Sequence, residues 1–111
     1  MKIEETSIDG LAIITPRKFN DTRGFFFEQY HSLKYKKVLG PKIQLVQDNI
    51  SCSSKNVIRG LHFQRNNPQG KLVTVIRGSI FDVAVDLRAN SKTFLKWFGL
   101  TLSEENSKQL W

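Results

Sequence analysis

The chain has 111 residues, 40% of them hydrophobic, with eight phenylalanines and a net charge of +7. That length suits one domain over 1–111, and that apolar share excludes intrinsic disorder. No apolar run approaches membrane-spanning length, the opening MKIEETSIDG has no apolar signal core, and a single cysteine, Cys52, excludes an intrachain disulfide or a cysteine-built metal site. These features predict a soluble cytoplasmic protein in a reducing compartment. The positive balance calls for an anionic partner: nucleic acid, an acidic membrane surface or a phosphorylated small molecule. Charge alone does not choose among them.

In chain order, LAIIT (11–15) reads as a short strand stopped by Pro16, and NDTRG (20–24) as a turn. FFFEQY (25–30) reads as a strand with Phe25, Phe27 and Gln29 on one side and Phe26, Glu28 and Tyr30 on the other. Ser32 is placed to cap a helix over 33–39, with Gly40 at its C-terminal left-handed position and Pro41 ending it. The basic cluster Lys34-Tyr35-Lys36-Lys37 then falls on a solvated helix face. Extended segments follow at 43–50 and at NVIRGLHFQ (56–64), separated by the turn SCSSKN. After the polar loop RNNPQG, two strands at 71–76 and 79–87 flank Arg77-Gly78, which reads as a hairpin turn. A further strand spans 94–102, and LSEENSKQLW offers a helix start at Ser103. Many short strands, Gly/Pro/Asn turns and one small helix predict an all-β sandwich or barrel. Within 80–87, Phe81, Val83, Val85 and Leu87 form the expected core face. Ile80, Asp82, Ala84 and Asp86 form the other, either solvated or lining a polar cavity.

NVIRGLHFQ carries the chemistry. Strict alternation sets Arg59 and His62 on opposite faces, and a bulge at Gly60 would turn them to one side. Gln47 and Asn49 share a face of the preceding segment, and Lys71 opens the next strand. Gln47, Asn49, Arg59, His62 and Lys71, with Asp82 behind, therefore make a coherent set. It contains one titratable base, two cations for a phosphate or an enolate, and two neutral amides for orientation. A purely structural reading stands beside it: Arg59 and Lys71 paired with Asp82 and Asp86, the amides on the surface, and His62 as a hydrogen-bonded strand residue. The two histidines, His31 and His62, lie far apart, and no H-x-H, C-x-x-C, Walker or dinucleotide spacing occurs, so no metal or cofactor is expected.

At these residues the sequence resembles the dTDP-4-dehydrorhamnose 3,5-epimerase family, from about Thr15 to Trp111. Six segments carry the resemblance in order: DTRGFFFE, VQDNIS, NVIRGLHFQ, PQGKLV, GSIFDVAVDLR and LSEENSKQLW. It implies a metal-free cupin-type jelly roll, a homodimer with exchanged N-terminal strands, and a dTDP-linked 4-keto-6-deoxyhexose as substrate, with no nucleic-acid or membrane partner. The implied reaction is epimerisation at C3 and C5 of dTDP-4-dehydro-6-deoxy-D-glucose, giving dTDP-4-dehydro-L-rhamnose. By the same resemblance His62 is the base that removes protons beside the C4 ketone, and Lys71 supports the enolate. Gln47, Asn49 and Arg59 hold the substrate. Arg23 and Glu28, with Phe26 nearby, contact the nucleotide across the dimer, and Asp82 matches an acid that stands behind the residues of the His62 and Lys71 set.

The sequence also departs from the family. Members continue past the equivalent of Trp111 with further strands, a second histidine, a tyrosine that reprotonates from the opposite face and an aspartate that partners the base. Tyr30 and Tyr35, the only tyrosines here, match neither position. The expectation is a jelly roll lacking the family's last strands, with unpaired edges and weak or no full epimerisation. The alternatives are a non-catalytic thymidine-nucleotide-binding or assembly protein, and a related C5-epimerase or ketoisomerase of deoxysugar synthesis.

Overall fold

The structure is a computed structural model and describes residues 1–111. Its elements are β1 (Lys2–Glu5), β2 (Ala12–Thr15), β3 (Lys18–Asp21), β4 (Gly24–Phe27), α1 (Ser32–Leu39), β5 (Val73–Thr74), β6 (Ser79–Val85), β7 (Trp97–Ser103) and β8 (Gln109–Leu110). As the sequence predicts, the fold is built of strands with one short helix. The strands make one four-stranded sheet in the order β1-β2-β8-β5 and two separate hairpins, β3–β4 and β6–β7. All pairings are antiparallel.

The core lies where α1 meets β2. The period-two pattern of Ala12-Ile13-Ile14-Thr15 buries Ala12 and Ile14 on one face. Tyr35 and Leu39, four apart on α1, form one helical stripe and pack on Ile14. Val38, Leu45, Leu72 and Trp111 close around this cluster. Burying such side chains contributes about 1.5–3 kcal/mol each. A buried polar knot ties the helix to the sheet. The Tyr35 hydroxyl lies 2.7 Å from the Gln29 carbonyl and 2.8 Å from Gln109 Oε1. Gln109 Nε2 donates to the same Gln29 carbonyl at 2.9 Å.

α1 begins one residue earlier than the sequence predicts. His31 takes the N-cap position with extended backbone and no side-chain capping bond, so Ser32 is the first helical residue rather than the cap. The C-terminus follows expectation. Gly40, at φ +103°, occupies a conformation that a Cβ disfavours, and its N–H donates to the Lys36 carbonyl at 3.1 Å.

Four other expectations are corrected. Segments 43–50 and 56–64 form no strands, and apart from the half-buried Leu45 their side chains are exposed, Val46 to 84% and Ile58 to 92%. A strand exists only through a neighbour's hydrogen bonds, and β5 is taken by β8 while β6 and β7 take each other. Arg77-Gly78 does not join a hairpin for the same reason. Gly78 does adopt φ +78°, and its carbonyl accepts from the Glu104 N–H at 3.1 Å. No helix starts at Ser103. Ser103 and Asn106 exchange backbone-to-side-chain hydrogen bonds, both 3.1 Å, and close a turn that leads into β8. Finally, Phe81 and Leu87 are exposed rather than core. Phe81 lies across Gly99 on the neighbouring strand instead.

Candidate active site

The candidate residues lie on three parts of the chain. Gln47, Asn49, Arg59 and His62 sit on the segments that form no strands, Lys71 just before β5, and Asp82 in the middle of β6. Gln47 and Asn49 do share a face: Gln47 Nε2 donates to Asn49 Oδ1 at 3.2 Å. With one donor spent on that bond, the pair still presents several outward amide groups.

Arg59 is anchored beside the 51–55 turn. Its Nε donates to Ser53 Oγ at 2.9 Å and its Nη2 to the Cys52 carbonyl at 3.3 Å. Lys71 Nζ has only the Gln69 side-chain carbonyl, at 3.5 Å. Neither cation is in an ion pair with Asp82 or Asp86, so the structural reading of these two residues is not realised. Asp86 is spent elsewhere. Its buried carboxylate accepts from Arg88 Nε at 2.8 Å, Ser91 Oγ at 2.6 Å and Thr93 Oγ1 at 2.7 Å. Those donors, Arg88 first, hold its carboxyl well below the usual carboxylate range.

The bulge expected at Gly60 does not arise, because a bulge needs a paired strand. Glycine is required there for another reason. Gly60 has φ +120°, and the His62 ring folds back over it, with Cδ2 3.3 Å from where a Cβ would sit. A positive φ beside the folded-back imidazole, not a strand defect, accounts for the glycine. Asp82 is partly buried, opposite Leu100 of β7. Burial pushes its carboxyl up, opposed by a backbone hydrogen bond from Val83.

Arg23, Phe26 and Glu28 belong to a different surface, the β3–β4 hairpin and its exit. Arg23 grips Asp21 through Nε and Nη2, the latter at 2.6 Å, and Glu28 pairs with Lys34 at 2.7 Å. Phe26 is exposed on the hairpin, while Phe25 and Phe27 stack on its other side with centroids 5.9 Å apart. Lys18 and Arg17 cover Phe25 and Phe19 as cation–π partners. The hairpin is thus an exposed aromatic and basic surface with its charges already positioned.

The profile of the dTDP-4-dehydrorhamnose 3,5-epimerase family matches residues 5–111. The chain belongs to that family. A dTDP-4-dehydrorhamnose 3,5-epimerase of Salmonella typhimurium is 52% identical over 112 residues, covering 100% of this chain and 61% of the relative. That of Methanothermobacter thermautotrophicus is 52% identical over 105 residues, covering 95% of this chain and 56% of its own length. Among solved structures, a Legionella pneumophila dTDP-6-deoxy-D-glucose-3,5-epimerase in complex with dTDP-4-keto-L-rhamnose superposes with a TM-score of 0.95 at 50% identity, over 99% of this chain and 58% of that one. The Bacillus anthracis enzyme with TDP and PPi bound gives 0.89 at 46% identity, over 98% and 63%. The all-β architecture is therefore that of the family's cupin-type jelly roll, over part of its extent. The chain spans about 61% of the length of the Salmonella relative. No helix is long and apolar enough to cross a membrane.

Two residues beside the site escaped the sequence reading. A Cβ on Gly70 would lie 2.3 Å from Trp111 Cη2, so these two residues are in direct apposition next to Lys71. The signal was a glycine preceding a cation in PQGKLV without any turn to require it.

Proposed function

We propose that this chain carries the proton-abstracting half of a 3,5-epimerase acting on dTDP-4-dehydro-6-deoxy-D-glucose. The observation that carries the reading is family membership across residues 5–111, which takes in every residue of the candidate site. A proton beside a ketone is removed only if the enolate oxygen is stabilised, so a base and a cation must act on one carbonyl. His62 takes the proton from C3 or C5 and becomes imidazolium. The electron pair moves onto the C4 oxygen, which Lys71 stabilises. A proton delivered from water to the opposite face inverts the carbon, and the imidazolium returns its own proton to solvent. Arg59, Gln47 and Asn49 hold the sugar nucleotide, and the exposed, unpaired state of Arg59 and Lys71 suits an anionic ligand.

Arg23, Phe26 and Glu28 would take the nucleotide from the hairpin of a second copy, in a homodimer. The exposure of Phe19, Phe25 and Phe26 on that hairpin supports such a contact. A cytoplasmic location fits the lone unpaired cysteine, Cys52.

The test is incubation with the 4-keto sugar nucleotide in deuterated water, following the C3 and C5 protons by NMR. Loss of those signals at a rate proportional to protein supports the reading, and signals that persist contradict it. A second reading, nucleotide binding without turnover, rests on the exposure of the segments that hold His62. It predicts dTDP affinity by calorimetry with no deuterium uptake.

A further inference from the structure

Gly70 does not need to be glycine for its backbone. It lies outside every strand, and its φ is not in the left-handed region. It needs to be glycine for space. An added Cβ would meet three atoms of one ring, Trp111 Cη2 at 2.3 Å, Cζ2 at 2.9 Å and Cζ3 at 3.0 Å. That ring cannot swing aside as a surface tip does. Trp111 exchanges both backbone hydrogen bonds with Ala12, at 2.9 and 3.1 Å, and its side chain packs on the Ile14–Tyr35–Leu39 cluster. On the other side of Lys71, Leu72 packs on the same cluster. Antiparallel pairing of Val73 with Leu110 brings this stretch alongside the end of β8.

Lys71 is thus held between two anchored neighbours, Gly70 beneath the indole and Leu72 in the core rim. Its own side chain stays exposed, with one long contact to Gln69. We infer that Trp111 is a positioning residue for Lys71, acting through its contact with Gly70. This rests on the proposed role of Lys71 at the enolate. Fixing the backbone on both sides of a cation removes the freedom that would otherwise be lost on reaching the transition state.

The experiment follows Lys71 directly. Lysines are reductively methylated with ¹³C-formaldehyde in the full chain, and the Lys71 signal is assigned by its loss in Lys71→Arg. In Gly70→Ala the Lys71 signal moves while the other lysine signals hold. Trp111→Phe removes the ring atoms facing Gly70, keeps an aromatic in the cluster, and moves the Lys71 signal by itself, which serves if Gly70→Ala does not fold. The double variant returns the signal toward the parent, since the smaller ring makes room for the methyl. With the 4-keto sugar nucleotide, deuterium uptake at saturation falls by about 10- to 100-fold in Gly70→Ala while KM holds, the signature of a misplaced rather than missing group. A Lys71 signal unmoved in a folded variant, or a double variant no nearer the parent, overturns the inference. A signal that moves in a protein whose parent shows no deuterium uptake upholds the positioning and sinks the proposed activity instead.

Discussion

The Tyr35 hydroxyl offers the sharpest test of how this chain holds its site together. Tyr35 is 1% exposed and Gln109 is fully buried, so neither polar group has water to fall back on. The Gln29 carbonyl accepts from Gln109 Nε2 at 2.9 Å and keeps that donor if the hydroxyl is removed, so the single proton of the hydroxyl goes to Gln109 Oε1. Gln109 Oε1 has only the hydroxyl, at 2.8 Å. Tyr35→Phe thus strands one buried acceptor, at a cost of about 1–3 kcal/mol. The ring and its packing on Ile14 and Leu39 are retained, so no cavity cost is added. For a chain this size, a loss of that order lowers Tm by roughly 4–8 °C per kcal/mol. Urea unfolding followed by circular dichroism gives the change as a lower midpoint at unchanged slope. Gln109→Ala and the double variant complete a cycle, and strong coupling between the two positions is expected. A Tyr35→Phe protein with the parent's midpoint would refute the claim that this knot fastens α1 to β8, and through β8 to the strand that begins beside Lys71.

Three further outcomes follow from the same structure. Leu102→Ala empties a fully buried position on β7 and should cost about 2–5 kcal/mol by denaturant titration. Gly99→Ala places a methyl 2.6 Å from Phe81 Cζ, but Phe81 is exposed and its ring tip can move, so the change in midpoint should be small and should vanish in a Phe81→Ala background. The Asp86 carboxyl is depressed in the fold, so its contribution to stability is complete above the unfolded value of about 3.9 and is lost progressively as pH falls below that value. Asp86→Asn should therefore destabilise the protein at pH 7 and flatten the decline of stability toward pH 3, measured as Tm against pH.

Local signals in the sequence were read well and long-range ones were not. α1 was legible from Gly40 and Pro41 at the end of 33–39, because helix bonds and their stop signals are local. β2 and β4 were legible for the same reason, each having a partner close in sequence. The Arg77-Gly78 hairpin was misread because the partner of Val73 and Thr74 is the two-residue β8, more than thirty positions away. Residues 43–50 and 56–64 have strand composition, yet composition cannot supply the neighbour that makes a strand. Among the site residues, the shared face of Gln47 and Asn49 and the special backbone at Gly60 were both anticipated. The reason for Gly60 was not, since a positive φ and a ring folded over the backbone leave the same trace in sequence as a bulge.

The central claim is that His62 removes the proton, and it is tested most directly by comparing the parent with His62→Asn in deuterated water while measuring dTDP affinity by calorimetry. The account predicts that deuterium uptake at C3 and C5 falls by about 10²- to 10⁴-fold while affinity for dTDP holds. Uptake unchanged by His62→Asn, or uptake and affinity lost together, would contradict it.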